Sequence, residues 1–197
     1  MAYFPMFVDL TGRHVLVVGG GKIAARRVRT LLEFGCEITV VAPEVCEELR
    51  EILESDARIA QDKGKRPAEK RKSGVCDEIL ERNGITWKKK NYGIEELEMT
   101  SADETDPGQA ENRKEWGFTF VLAAATPEIN AEVVRGCREK KIPVNNASDR
   151  DQCDFYFPGI AKDGDTVVGI TSGGGDHRLA ARISEAVRGL LKTIGGS

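Results

Sequence analysis

The chain has 197 residues, of which 31% are charged and 40% hydrophobic, and its formal net charge is −3. That length allows one large domain or two small domains that share a core. The slightly acidic balance gives no reason to expect nucleic acid or an anionic membrane surface as a partner.

The sequence contains no apolar run near the roughly 20 residues of a membrane span, and its first residues, MAYFPMFVDL, lack a signal-peptide pattern. We therefore expect a cytoplasmic protein. Its five cysteines are scattered and odd in number, which argues against a disulfide framework or a zinc site. With only two histidines, a multi-histidine metal centre is excluded, and we predict no metal ligands.

The N-terminal part of the chain predicts a strand, a glycine turn, a helix and a second strand. Val15–Val18 is a short apolar run that ends at Gly19–Gly21, and the apolar residues that follow recur at helical spacing until Gly35. The stretch Glu37–Pro43 is typical of a second strand. A glycine-rich turn indicates a nucleotide site only in such a βαβ context.

Further along, a short helix is predicted over Cys46–Leu53, and strands are predicted over Ile85–Tyr92, Phe118–Ala123 and Ile142–Ser148. A helix begins near Pro127, since proline suits the first helical turn. Two polar runs, near 56–83 and 99–116, are interpreted as insertions at the edge of the fold, with the basic stretch Lys63–Lys72 as solvated surface.

Strands that alternate with helices through Ser148 predict an α/β fold, with a Rossmann-type parallel sheet domain over residues 1–148. Residues 149–197 predict an antiparallel strand pair and one amphipathic helix, a small α+β dimerisation domain. Two strands and a helix cannot close a core alone. We therefore expect this segment to complete its core on a second copy, as a homodimer.

The glycine turn fits the pattern G-x-G-x-x-[GA] through Gly19, Gly21 and Ala24. The first glycine permits the tight turn, the second lets a pyrophosphate approach, and the small Ala24 lets helix and strand pack closely. Strand-to-helix turns that bind no nucleotide also carry glycines, so the pattern alone is weak.

The acidic residue that usually ends the second strand and binds the ribose is missing, because that strand ends at Val41-Ala42-Pro43. Glu44 is the nearest acid, and either it binds the ribose from the loop together with the Pro43 backbone, or recognition of the adenosine is looser than usual. No arginine stands there to bind a 2′-phosphate, so NAD is favoured over NADP.

Four collinear stretches resemble the precorrin-2 dehydrogenase, or siroheme synthase N-terminal, family. They are YFPMFVDLTGRHVLVVGGGKIAARRVRTLLEFGCEITVVAP, TFVLAAATPEINAEV, VNNASDRDQCDFYFPGI and VVGITSGGG. Enzymes of this family oxidise precorrin-2 to sirohydrochlorin with NAD⁺ in siroheme biosynthesis, and some also insert Fe²⁺. The resemblance implies an NAD-dependent oxidoreductase that acts on a tetrapyrrole, with ferrochelatase activity as a second implied function.

The resemblance also implies the residues that meet the cofactor. They are Gly19, Gly20, Gly21, Lys22, Ile23, Pro43, Glu44, Ala124 and Thr126. The family's middle loop carries A-T-D-D where this chain has Ala124-Ala125-Thr126-Pro127, so contacts there come from the backbone or from Thr126.

The family's important aspartate ends an N-x-x-D run, and Ser148 stands at that position, with Asp149 one residue later. A carboxylate beside the cofactor can take the proton that dehydrogenation releases. Asp149 is the first choice for this catalytic role and Ser148 the next, with Asp151 and Asp154 as weaker candidates. Alternatively, this stretch is a polar turn in which Asp149 binds nearby backbone.

Precorrin-2 carries many carboxylates, which cations and free N–H groups would bind. Candidates for substrate binding lie in the glycine-rich entry to the last helix: Ser172, Gly173, His177 and Arg178. The same stretch could equally be a flexible turn with Asp176 as the helix cap.

Two other hypotheses stay open. The chain could be a non-catalytic, dimeric NAD sensor that kept the fold and lost the aspartate at Ser148. It could also be an unrelated small NAD-dependent dehydrogenase.

Overall fold

The computed structural model describes residues 4–62, 78–82, 84–98, 117–173 and 175–195. The chain divides into two compact units. The large unit is Asp9–Cys153, and the small unit combines Met1–Val8 with Asp154–Ser197. The sequence places its domain boundary after Ser148, and the division by contacts falls after Cys153.

In the described part of the large unit, six strands form one sheet in the order β3-β4-β2-β1-β5-β6. The strands are β1 His14–Val18, β2 Glu37–Val41, β3 Glu78–Arg82, β4 Ile85–Lys89, β5 Phe120–Ala123 and β6 Val144–Asn146. The edge strand β3 is antiparallel to β4, and all other neighbours in the sheet are parallel. The predicted Rossmann-type α/β sheet is thereby confirmed.

The described helices connect these strands and end the chain. They are α1 Lys22–Leu32, α2 Glu47–Asp62, α3 Pro127–Lys140 and α4 His177–Gly195, with 3₁₀ helices at Ile94–Leu97 and Arg150–Gln152. Helix α1 starts directly after the glycine turn and buries Ala24 and Val28 on one face. Helix α1 packs against α2, and α3 packs against β5 and β6.

The core of the large unit is centred on β1, whose residues Val15–Val18 are at most 1% exposed. Successive side chains of a strand point to opposite faces. Leu16 and Val18 pack with Val133 and Cys137 of α3, so Val15 and Val17 point to the other face of the sheet. Such burial on both faces is typical of parallel sheets.

The secondary structure of the first polar run differs from the prediction. Helix α2 does not end near Leu53 but continues to Asp62, and Glu78–Arg82 forms the edge strand β3. The alanines, Arg58 and Gln61 in the added part of α2 have good helix propensity, and an edge strand needs only one neighbour. The stretches Lys63–Lys72 and 99–116 lie outside the described residues.

In the small unit, strands β7 Gly159–Asp163 and β8 Thr166–Ile170 pair antiparallel. Gly164 makes the turn between them with a φ of 54°. Helix α4 packs on β7, where a side chain on Gly159 would meet Ser184 Oγ at 2.5 Å. The predicted strand pair and amphipathic helix are confirmed. Of the helices described, none has the length and apolar character needed to cross a membrane.

Candidate cofactor site

Four parallel strands of the large unit end at the same level. Val18 pairs with Val41 on one side and with Ala123 on the other, and Ala123 pairs with Asn146. The segments that follow these strands therefore emerge at one edge of the sheet, which is where α/β folds bind ligands. They carry the predicted cofactor residues and the catalytic candidates Ser148 and Asp149.

The glycine turn after β1 is shaped by close backbone approaches. Gly19 has a φ of 118°, and a side chain there would overlap the carbonyl group of Ala124. A side chain on Gly20 would overlap the carbonyl oxygen of Glu44. Only glycine fits at these two positions, because the chain passes the loops after β5 and β2 without room for a Cβ.

Gly21 differs from its two neighbours, since a Cβ at this position would meet nothing within 4 Å. It is the N-cap of α1, and it makes no side-chain cap hydrogen bond. The N-terminus of α1 therefore has room beside Gly21 and no side-chain cap on its first-turn N–H groups, which is the arrangement that a pyrophosphate needs. The geometry of the turn fits the phosphates of a dinucleotide.

The next two residues begin α1. Lys22 is 85% exposed, with its Nζ 3.9 Å from Glu48 Oε1, and Ile23 is 42% exposed. Both side chains can reach a ligand that lies above the turn.

The loop after β2 contributes Pro43 and Glu44, both exposed. Its backbone is held from both sides, since Trp87 Nε1 donates to the Ala42 carbonyl at 3.0 Å and Cys46 N–H donates to the Gly20 carbonyl at 2.7 Å. Glu44 is therefore a carboxylate on a fixed loop beside the glycine turn.

The loop after β5 runs from Ala124 into α3. Ala124 N–H donates to Val18 carbonyl at 2.8 Å, and Thr126 Oγ1 caps α3 by accepting from Ile129 N–H at 3.5 Å. The side chain of Asn130, fully buried, binds both the N–H and the carbonyl of Ala125. Sequence reasoning did not single out Asn130, although it lies in the quoted PEIN run.

Ser148 and Asp149 follow β6. Ser148 is exposed, and its Oγ accepts a hydrogen bond from Asn130 Nδ2 at 2.5 Å. Asp149 Oδ1 accepts the N–H of Asp151 at 3.0 Å and caps the short helix that follows. Asp149 therefore makes the local backbone contact of a polar turn, and Ser148 is linked to the loop after β5.

Cys153 is the last residue of this region, and the sequence analysis predicts no role for it in the site. Its Sγ accepts from the Asn146 N–H at 3.2 Å and from Asn145 Nδ2 at 3.5 Å. Arg27 of α1 lies near this thiol, and burial lowers the pKa of Arg27 to about 10. Contacts between residues so far apart in the chain leave no local signal in the sequence.

The substrate candidates lie in the small unit. Ser172 Oγ donates to the Asp176 carbonyl at 2.7 Å, and Gly173 has a φ of 65°. Asp176 Oδ1 caps α4 by accepting from Leu179 N–H at 2.9 Å, and Arg178 is exposed. His177 begins α4, and its side chain lies outside the described residues.

The family model described as "Putative NAD(P)-binding" matches residues 6–159. The chain belongs to this NAD(P)-binding family. Membership confirms the predicted nicotinamide dinucleotide, NAD, as the cofactor, and it agrees with the shape of the glycine turn.

Two relatives of this chain are proteins named for siroheme synthesis. A "Probable multifunctional siroheme biosynthesis protein HemA" of Ruminiclostridium josui is 33% identical over 94% of this chain and 28% of its own length. "Siroheme synthase 1" of Serratia proteamaculans is 31% identical over 97% of this chain and 31% of its own. The chain thus spans about a third of the length of these curated relatives.

One solved structure, "SirC, precorrin-2 dehydrogenase", is similar with a TM-score of 0.62 and 25% identity, over 95% of this chain and 70% of that chain. Together with the siroheme synthases, it confirms the resemblance to the precorrin-2 dehydrogenase and siroheme synthase N-terminal family.

Proposed function

We propose that this protein is an NAD-dependent dehydrogenase that oxidises precorrin-2 to sirohydrochlorin in siroheme biosynthesis. The observation that carries the proposal is the convergence of the glycine turn with Ser148 and Asp149 at one edge of the sheet. The precorrin-2 dehydrogenase and siroheme synthases among its relatives support the choice of substrate.

When bound, NAD⁺ supplies a hydride acceptor. Gly19–Gly21 and the first-turn N–H groups of α1 would hold its pyrophosphate. The exposed carboxylate of Glu44 would accept hydrogen bonds from the ribose hydroxyls and repel a 2′-phosphate, which favours NAD over NADP. Ala124 and Thr126, in the loop after β5, would contact the rest of the dinucleotide.

Asp149 is our candidate for the base that removes the substrate proton. Asp149 is half-buried and directly follows Ser148, which Asn130 links to the loop after β5. Ser148 would contact the reacting region through its hydroxyl. A carboxylate so placed can act on the substrate only if one of its oxygens faces the macrocycle.

In the small unit, Ser172, Gly173, His177 and Arg178 are our candidates for binding the substrate's carboxylates. Arg178 at the start of α4 supplies a permanent charge, and the first turn of the helix favours an anion.

A second copy of the chain as partner is also part of the proposal. Helix α4 exposes Leu190 and Ile194 by 57% and 65%. Large apolar side chains that share a helix face are commonly covered by a partner. Iron insertion and a cytoplasmic location stay predictions from the sequence.

The deciding experiment measures NADH formed from precorrin-2 and NAD⁺. We expect turnover by the wild type, a fall of about 100-fold in Asp149→Asn, and little change in Asp151→Asn, which tests the weaker candidate two residues along the chain. Equal rates in wild type and Asp149→Asn would overturn the assignment of the base.

The same assay separates the other hypotheses. A sensor would bind NAD⁺ without turnover, and an unrelated dehydrogenase would not respond to the tetrapyrrole. Either result with folded wild type contradicts the proposed function.

A further inference from the structure

A single buried amide connects the loop after β5 with the segment after β6. Asn130 is 0% exposed, and its side chain makes three hydrogen bonds. Two go to the backbone of Ala125, within the loop that carries Ala124 and Thr126. The third goes to Ser148 Oγ, 18 positions away in the chain.

The chemistry of the partners fixes the orientation of this amide. The Ala125 N–H can only donate, so the group 2.9 Å from it must be the oxygen Oδ1 of Asn130. The nitrogen Nδ2 then occupies the other position, 3.3 Å from the Ala125 carbonyl and 2.5 Å from Ser148 Oγ. A carbonyl oxygen can only accept, which agrees with this assignment.

The orientation of the Asn130 amide also decides in which direction the hydroxyl of Ser148 donates its proton. Since Nδ2 donates, Ser148 Oγ must accept, and the hydroxyl's own proton is directed away from Asn130. Ser148 is held in place from its backbone as well, because its N–H donates to Asn146 Oδ1 at 2.8 Å. Its exposed hydroxyl therefore offers a proton at the sheet edge where the cofactor residues converge.

We infer that Asn130 is a positioning residue that orients Ser148 as a hydrogen-bond donor toward the reacting molecules. Ser148 in this role does not take up the substrate proton, and Asp149 is left as the base. This inference rests on the proposed function.

Position 148 carries a serine where the family has an aspartate, and both side chains can accept a hydrogen bond from Asn130. Asn130 Nδ2 donates to whatever acceptor occupies position 148. A carboxylate would satisfy that donor as well as a hydroxyl, and a charge-assisted bond is stronger than a neutral one. We therefore expect Ser148→Asp to fold with a melting temperature near that of the wild type.

The kinetic test is a double-mutant cycle of Asn130→Asp and Ser148→Ala. The first variant keeps the shape of the side chain but replaces the donor by an acceptor, so that Ser148 must give its proton to position 130. We expect each single variant to lower kcat for precorrin-2 about tenfold to 100-fold. The double variant should be no slower than the slower single variant. Losses that multiply would overturn the inference.

A second measurement needs no turnover. In Ser148→Asp, a donating Asn130 lowers the pKa of the introduced carboxyl below that of a free aspartate, which NMR titration can follow. An amide with its oxygen toward position 148 would raise the pKa instead and contradict the inference. This readout separates the two proposals, because it stands even if the wild type does not oxidise precorrin-2.

The control for general damage to α3 is Val133→Ala, which removes two methyl groups from the same helix at 0% exposure. We expect it to lower the melting temperature with kcat within about twofold of the wild type. If Val133→Ala lowers kcat as much as Asn130→Asp, the effect of Asn130 is structural and the inference is wrong.

Discussion

The two units of this protein differ in how completely they bury their apolar residues. In the large unit, Val15–Val18 are at most 1% exposed, and the sheet is covered on both faces. In the described part of the small unit, only Ala161 and Ser184 are buried. A two-stranded sheet with one helix on it has an uncovered side. The large unit can thus hold a site by itself, and those residues of the small unit that the structure describes form no closed core.

The uncovered side of the small unit includes a face of α4. Leu179, Ile183, Leu190 and Ile194 follow one another at helical spacing and are 41–65% exposed. Residues four and seven apart on a helix share a face. The predicted homodimer would cover this face.

Disruption of the glycine turn should have the largest effect on the large unit. In Gly19→Ala, the left-handed φ of 118° and the overlap with the Ala124 carbonyl together should cost about 4 kcal/mol of unfolding free energy. Denaturant unfolding and NAD⁺ titration check this result.

Gly21→Ala is the matched control for that variant, since its methyl group meets nothing within 4 Å. We expect it to keep its stability and lose affinity for NAD⁺, because the methyl group occupies the space of the pyrophosphate. Unchanged affinity in Gly21→Ala would contradict the assignment of the turn.

A second prediction addresses the small unit. Leu190→Glu places a charge on the apolar face of α4 and should weaken a dimer by about 3 kcal/mol, since each copy loses one buried leucine. Sedimentation would detect monomers, while NAD⁺ binding by the large unit stays within about twofold.

Lys192→Gln changes the charge by the same amount at an exposed position and should leave assembly unchanged. A monomeric wild type would show that the face of α4 has no second copy on it.

A third prediction concerns a buried carboxylate of the large unit. Glu96 is 6% exposed and binds Lys88 at 2.9 Å and also Lys90. Burial alone raises the pKa of Glu96, but hydrogen bonds from the two lysines outweigh it, and the pKa lies below its ordinary 4.5. Glu96 thus stabilises the folded state above pH 4.5, and this contribution is lost as the pH falls through the lowered pKa.

Glu96→Gln should cost about 2 kcal/mol near neutral pH and reduce the loss of stability in acid. Urea unfolding at several pH values measures both effects. Glu98→Gln, an exposed position paired with Lys140, is the control and should cost under about 0.5 kcal/mol. An equal loss of unfolding free energy in Glu96→Gln and Glu98→Gln would contradict the larger stabilising contribution of the buried carboxylate.

The smallest expected losses of stability come from removing one helix cap in each unit. Asp176 caps α4 at 2.9 Å, and Thr126 caps α3 at 3.5 Å. We expect Asp176→Ala to cost about 1 kcal/mol and Thr126→Ala about 0.5 kcal/mol. Because Thr126 also lies at the sheet edge, only its variant should weaken NAD⁺ binding. Titration of both variants beside thermal unfolding tests this difference.

The sequence predicts the parts of this fold that depend on local pattern. Val15–Val18 predicts a buried strand because the run is apolar and rich in valine, and the glycines after it predict the turn because glycine tolerates the left-handed backbone that Gly19 adopts. The end of α2 and the edge strand β3 were missed, because both lie in the run 56–83, whose polar, charged composition is typical of an insertion without regular structure.

The positions of the candidate residues could be predicted where they follow from strand ends, but not where they depend on contacts across the chain. The residues after β1, β2 and β5 lie at one edge because parallel strands share a direction. The bond from Asn130 to Ser148 and the thiol of Cys153 beside Asn146 come from tertiary packing. The roles predicted for Ser172, Gly173, His177 and Arg178 stay predictions.

The hydrogen bonds that flank the glycine turn have a thermodynamic consequence. Gly19 N–H donates to the Val41 carbonyl at 2.9 Å, and the Gly20 carbonyl accepts from Cys46 N–H at 2.7 Å, so hydrogen bonds within the protein hold the turn against the end of β2 and the loop after it. Because these hydrogen bonds hold the backbone of the turn, binding of a dinucleotide would cost little conformational entropy of the chain. Its association would then be limited by encounter and orientation rather than by loop rearrangement.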